Sequence, residues 1–220
     1  MLDISPDSVG NKFRKKRIDE LNQLISEVLS RKDSCKILDI GGTYNFWLVW
    51  KQEIDWQNVK ITCVNLDPTH GQTGRGEIPI EMKKGNGCSL PNIADNEFDI
   101  VFSNSVIEHV GLWDRMMDMA GEIRRIAPRY LVQTPSFWFP FEPHARTPLL
   151  HWMPESLAYR IVMARKCGFW DRQDTVAAAT LTVQSAKLLD YRQMQALFPD
   201  ANIIRERFLG LTKSFLATKS

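Results

Sequence analysis

The sequence has no Cys-x-x-Cys pair, no long apolar run and no excess of either charge, and each absence closes off a class of protein. Its four cysteines, Cys35, Cys63, Cys88 and Cys167, are scattered, so buried thiols in a reducing compartment are expected rather than a disulfide framework. No window approaches the ~20 apolar residues that cross a bilayer, and Met1 to Gly10 carries Asp3 and Asp7 without an apolar core. The expectation is a soluble cytoplasmic protein with no membrane contact. Lys+Arg of 28 against Asp+Glu of 26 leaves a net charge of +2, too weak a field to recruit nucleic acid. The basic run Lys12, Arg14, Lys15, Lys16 and Arg17 falls on helical spacing with Phe13, Ile18, Leu21, Leu24, Ile25 and Val28, and reads as the solvated face of a helix over residues 11–31.

What is present is enough for one domain. With 220 residues and 44% hydrophobic content, residues 1–220 can bury a sizeable core and carry a modest insertion. The organising stretch is Lys36-Ile-Leu-Asp-Ile-Gly-Gly-Thr-Tyr-Asn45, which predicts a buried parallel strand broken by two glycines. Such a turn, at the carboxyl end of a first strand, is where open α/β sheets bind nucleotides. The third glycine of a dinucleotide fingerprint is missing, which argues against a pyrophosphate site.

Further strands follow in order. Val59 to Asp67 predicts a second strand ending in a carboxylate that can accept both hydroxyls of a ribose. Residues 69–77 read as turn-rich, and a short third strand leads into Gly85-Asn-Gly-Cys-Ser-Leu-Pro91, where Asn86 can address an adenine edge. Phe98 to Phe102 predicts another buried strand, with Ser103, Asn104 and Ser105 at its tip and a helix after it. Arg115 to Ile126 reads as a helix and Arg129 to Pro135 as a fifth strand. In the tail, Asp190 predicts a helix cap, and 201–208 with 214–218 predict a closing pair of strands.

Taken together, Lys36-Ile-Leu-Asp-Ile-Gly-Gly, Asp67, the 85–91 loop and Phe98-Asp-Ile-Val-Phe-Ser-Asn-Ser-Val-Ile-Glu-His109 resemble the successive motifs of class I S-adenosylmethionine-dependent methyltransferases. The resemblance covers residues 33–135. It implies an α/β, Rossmann-like doubly wound sheet of seven strands with the last antiparallel, S-adenosylmethionine as cofactor, and a cofactor site over Asp39, Gly41, Gly42, Thr43, Tyr44, Asp67, Asn86, Gly87, Cys88, Ser103 and Asn104. Two departures stand out: Gly-Gly-Thr replaces a fuller glycine motif, and Asn86 stands where the family commonly has Asp.

Between the core (33–135) and the closing helix and strands (181–220), residues 136–170 are rich in aromatics and proline and read as a lid over the substrate, with a helix from Leu157 to Trp170. This lid brings Glu142, His144, Arg146 and His151 among its aromatics. Methyl transfer needs alignment and removal of a proton, so His144, His109 and Glu142 are the candidate catalytic residues, and Tyr44, Trp138 or Phe139 can face a sulfonium. Some relatives hold a metal through Glu-x-x-Glu-His. Here Ser105 replaces the first carboxylate, so no metal is expected, although Glu142 and His144 can replace it in space.

The expected activity is methyl transfer to an oxygen or nitrogen of a small metabolite or sugar-like acceptor, by a monomer or homodimer. Two other readings stay open: a non-methylating enzyme that releases methylthioadenosine by intramolecular attack, and a silent S-adenosylmethionine-binding module.

Overall fold

The computed structural model describes residues 9–69 and 76–220. The N-terminal acidic segment and most of the turn-rich stretch 69–77 read from the sequence lie outside the described residues.

Seven strands form the main sheet: β1 (Cys35–Ile40), β2 (Val59–Asn65), β3 (Ile80–Lys84), β4 (Ile100–Asn104), β5 (Arg129–Pro135), β8 (Asn202–Phe208) and β9 (Leu211–Lys219). Their order is β3-β2-β1-β4-β5-β9-β8. The first five run parallel, and the last, β9, is antiparallel to both of its neighbours. The expected Rossmann-like architecture is therefore present. The central strands β1, β4 and β5 are buried almost throughout, which is why they read as apolar runs rather than alternating ones.

Alternate side chains of these strands enter two cores, one on each face of the sheet. Leu38, Ile40, Val101, Tyr130 and Val132 pack with α3 (Trp113–Ile126) and α6 (Tyr191–Leu197). Ile37, Ile61, Ile100, Phe102 and Leu131 pack with α1 (Val9–Leu29) and α2 (Tyr44–Val49). α6 begins with the capping box foreseen at Asp190: its carboxylate accepts from Gln193 N–H at 2.9 Å, and the Gln193 side chain accepts from Asp190 N–H at 2.8 Å.

Several local expectations are corrected. The residues after β4 form a 3₁₀ turn, Ile107–His109, instead of opening a helix. Residues 136–170 hold a hairpin of two-residue strands, β6 (Phe141–Glu142) with β7 (Thr147–Pro148), and then α4 (Glu155–Ala164), which ends six residues before Trp170. The chain leaves the helix at Arg165, in extended backbone, and at Gly168 turns at φ +54° where a Cβ would lie 2.6 Å from the Ala145 carbonyl oxygen. An unforeseen α5 (Val176–Gln184) packs beside α4, capped by Thr175, whose hydroxyl accepts from Ala178 N–H at 3.2 Å.

Arg17 corrects the reading of the basic run. Its side chain is buried, and Nε and Nη2 clasp Glu206 of β8 at 2.6–3.1 Å while Nη1 donates to Asn104 at 2.8 Å and Gln133 at 2.9 Å.

Asp39 and Gly42 are also reassigned, from cofactor contact to core. The Asp39 carboxyl is buried, accepts from the Trp47 indole N–H at 2.8 Å and lies 3.9 Å from the Cys63 thiol. A Cβ on Gly42 would fall 2.0 Å from its Oδ2, so this glycine makes room for the carboxyl. Burial pushes the Asp39 pKa up to about 8, against the smaller opposing pull of the Trp47 and Cys63 bonds. The folded chain thus holds a proton that the unfolded chain releases near its ordinary value, so Asp39 contributes stability at low pH that fades as pH rises through about 8. Relative to Asp39→Asn, which keeps the neutral shape, wild-type stability should fall by up to about 1.4 kcal/mol per pH unit across that window. Urea melts of both proteins from pH 5 to 8.5 check this, and parallel profiles would refute it.

Candidate active site

The strand order reverses between β1 and β4, and a cleft opens beyond their carboxyl ends, as the topology of open α/β sheets requires. It has a volume of about 470 Å³ and is lined by Ile40 and Gly41 at the end of β1, Val64, Asn65 and Leu66 at the end of β2, Gly85, Asn86 and Gly87 after β3, Ser105, Val106, His109 and Val110 after β4, and Arg115 of α3. Glycine is needed here for close approach. Gly41 turns at φ +79° while its N–H donates to Val64 O at 2.7 Å, and a Cβ there would meet Val106 Cγ2 at 2.4 Å. A Cβ on Gly87 would meet Ile40 at 2.6 Å. The backbone thus lies flat on apolar strand ends, with Asn65, Asn86, Ser105, His109 and Arg115 as the polar lining. The size and this mixture suit a nucleoside-sized cofactor.

A second pocket, of about 510 Å³, adjoins the first and shares Ser105 with it. Its walls include Arg14 and Arg17 of α1, Asn104, Gln133, Phe139, Phe141, Glu142, Arg146, Phe169 and Lys213. The charge of Arg17 is balanced by Glu206. Lys213 remains crowded by cations: burial first, then Arg17, pull its pKa down to about 8, with Glu206 opposing. Arg146 lies over the Phe169 ring, 4.4 Å from its centroid.

Four side chains occupy the junction. Glu142 is buried and accepts from Ala145 N–H and, at 2.7 Å, from His144 Nδ1. His144 Nε2 lies 3.0 Å from His109 Nε2, and His109 Nδ1 lies 2.8 Å from the Ser185 carbonyl oxygen. Burial pulls the His144 pKa down, but its bond to Glu142 and the charges of Glu142 and Glu108 outweigh this and leave it raised. Glu108, buried beside them, is raised by its burial, partly offset by His109. Its Oε2 accepts from Thr134 at 2.9 Å, whereas Oε1 has no hydrogen-bond partner among the described residues. Ser105, at φ +57°, marks the strained exit from β4 where both cavities meet.

The structure sorts the expected residues. Gly41, Asn86, Gly87 and His109 line the first cleft, and Asn104 and Glu142 line the second. Thr43 is instead the N-cap of α2, accepting from Phe46 N–H at 3.3 Å. Tyr44 is buried, its hydroxyl accepts from the N–H groups of Glu77 and Ile78 at 2.9 and 3.1 Å, and it lines neither cavity. Cys88 donates to Arg115 O at 3.3 Å, and Ser103 donates to Ile40 O at 3.1 Å, which locks β4 to β1. Asp67 follows the cleft residue Leu66 but is exposed, and its carboxylate accepts from Thr69 N–H at 2.9 Å. Of the aromatics, Phe139 reaches the second pocket and Trp138 is 63% exposed. Ser105, expected at the tip of β4, lines the cleft, whereas Asn65 and Arg115 were missed because nothing in their local pattern separates them from ordinary strand-end and helix polar residues.

The sheet order and the crevice at its reversal define a Rossmann-like nucleotide-binding fold. Residues 38–128 match the family described as "Methyltransferase domain". An uncharacterized protein of Mycobacterium tuberculosis is 27% identical over 134 residues, which is 56% of this chain and 44% of that protein; the chain thus spans less than half the length of this curated relative. Among solved structures, the chain is similar to CurJ carbon methyltransferase, with a TM-score of 0.60 and 9% identity over 96% of this chain and 55% of that one. It is also similar to magnesium protoporphyrin IX methyltransferase from Synechocystis, with a TM-score of 0.52 and 8% identity over 97% and 88% of the two chains. At such identities these structures speak for the fold. Residues 38–128 thus resemble a methyltransferase domain, carried on a Rossmann-like sheet.

Gly41→Ala should cost about 1–3 kcal/mol in a urea melt, since it adds both positive-φ strain and a clash with Val106. Adding Val106→Ala should recover the clash but not the strain. A Gly41→Ala protein as stable as wild type would overturn this account of the turn.

Proposed function

We propose that the chain transfers a methyl group from S-adenosylmethionine to an oxygen or nitrogen of a small anionic acceptor held in the second pocket. The observation that carries this reading is the junction: the two cavities share Ser105, and the Glu142, His144, His109 chain runs from the wall of one to the wall of the other. When bound, the cofactor supplies an electrophilic methyl group on a sulfonium.

The remaining work falls to the chain's own side chains. Gly41, Gly87 and the apolar strand ends form the cofactor's bed, Asn86 offers an amide to its base, and Asp67, turning from Thr69, offers a carboxylate to its ribose. The 136–170 segment serves as the acceptor's cover, bringing Phe139, Phe141 and Phe169 as apolar walls and Arg146 as a cation. Lys213 and Arg146 favour an acceptor bearing carboxylate or phosphate. His144 and His109 are placed to take the acceptor's proton: Glu142 orients one ring, the Ser185 carbonyl orients the other, and their facing Nε2 atoms can share the proton at 3.0 Å.

Mass spectrometry of the chain incubated with S-adenosylmethionine and a pool of small carboxylates and phosphates should yield S-adenosylhomocysteine and a methylated acceptor. Methylthioadenosine formed without acceptor would overturn methyl transfer. Asp67→Ala should weaken S-adenosylhomocysteine binding about tenfold or more in calorimetry, and unchanged affinity would remove the ribose assignment. His144→Ala should lower turnover about 100-fold or more with cofactor affinity retained. With the acceptor in hand, KM should rise as pH passes about 8 and Lys213 loses its charge, and Lys213→Ala should abolish that rise.

A further inference from the structure

We propose that Glu108, His109 and His144 form a binding site for one first-row divalent transition-metal ion of the zinc type. One ligand atom from each residue lies within 4.8 Å of the other two. The geometry is that of a site assembled from both sides of the junction. Glu108 and His109 come from the 3₁₀ turn after β4, and His144 comes from the loop of the β6–β7 hairpin.

The tautomers carry the argument. A carbonyl oxygen only accepts, so His109 Nδ1, 2.8 Å from Ser185 O, carries the hydrogen and leaves Nε2 as a lone pair. Glu142 likewise accepts from His144 Nδ1 at 2.7 Å and turns that ring's Nε2 toward the same point. Two imidazole lone pairs facing each other at 3.0 Å repel unless an electrophile sits with them. A shared proton relieves this repulsion, but it leaves Glu108 Oε1 buried with no hydrogen-bond partner among the described residues. A divalent cation meets all three demands at once.

The dimensions agree. Two metal–nitrogen bonds of about 2.0–2.1 Å at an angle between about 90° and 109° place their nitrogens about 2.9–3.4 Å apart, which brackets the observed separation. The outer contacts agree as well: each ligating ring donates its other N–H to a carbonyl or carboxylate, and the Glu108 carboxylate is anchored by Thr134 at 2.9 Å. Two imidazoles and one carboxylate suit zinc, iron, cobalt or manganese rather than calcium or magnesium. Three protein ligands leave coordination positions open, as catalytic rather than structural sites do.

The Ser105 substitution therefore removes one carboxylate from the sequence pattern while His144 restores a donor in space. The site stands on its own geometry and goes beyond the methyl-transfer reading. With an ion bound, His109 and His144 are ligands and no longer free bases, so the proton-accepting role given to them above belongs to the ion-free chain.

The test uses tag-free chain stripped with chelator and titrated with cobalt(II) and with zinc(II), read by visible absorption and by calorimetry. Cobalt should bind one ion per chain with the absorption bands of a nitrogen- and oxygen-ligated centre, and zinc should displace it. His109→Ala and His144→Ala should each lower affinity about 100-fold, and Glu142→Gln, which touches no ion, about 10–100-fold. Should an alanine variant fail to fold by circular dichroism, the wild-type readout is nitrogen NMR of the imidazoles, in which zinc should shift Nε2 of both His109 and His144. Absent stoichiometric binding, or binding that leaves both Nε2 resonances unmoved, would overturn the site. Cofactor binding by the stripped chain is measured alongside, so failure of the metal site and failure of the methyltransferase reading register separately.

Discussion

One guanidinium holds together the side of the molecule that carries the second pocket. Arg17 has five N–H donors, and the structure finds an acceptor for each of them among Glu206, Asn104, Gln133 and Ser214. Those partners lie on β8, β4, β5 and β9, so a single side chain of α1 reads the register of four strands. Glu206, itself buried, is held further by the Ser214 hydroxyl. Removing one member of such a buried pair typically costs about 3–5 kcal/mol, because the survivor keeps its charge and loses its solvation. A lysine cannot replace the fork, since its point charge cannot reach three acceptor groups in fixed directions. The antiparallel β9 and the helix that precedes the whole sheet are thus fastened at the floor of the second pocket.

The side of the first cleft is organised differently, by the removal of atoms. Gly41, Gly42, Gly85 and Gly87 each lie where a Cβ would strike a neighbour at 2.0–2.7 Å, yet only Gly41 among them needs positive φ. Gly42 is kept free for the Asp39 carboxyl and the others for contact with Val106, Val64 and Ile40. A glycine motif therefore encodes two things that look alike in sequence, a bed for a ligand and a seat for a buried acid.

That ambiguity explains what was legible. The strands from Lys36 to Ile40, Val59 to Asn65 and Arg129 to Pro135 were readable because parallel strands covered on both faces need unbroken apolar runs. Asp190 announced its helix through local capping chemistry. Roles that depend on direction were not readable: Asp39, Tyr44 and Ser103 belong to residue types that bind ligands, and all three point into the core and bond there. Arg17 looked like one more solvated charge because its partner lies 189 residues away. Glu142, His144 and His109 were singled out for their chemistry, but their convergence is a tertiary fact, produced by a hairpin of two-residue strands that no periodicity reveals.

The origin of the two cavities has a consequence for descent and design. Every residue lining the first cleft lies within 38–128, the segment that carries the family signature, whereas the second pocket draws only Asn104 and Ser105 from it and takes the rest from α1, the end of β5, the 136–170 insertion and the closing strands. On the proposed reading, the cleft for the reagent and the pocket for its target come from separable stretches of chain, and exchanging the flanks while keeping the middle would redirect the same reagent to a different molecule.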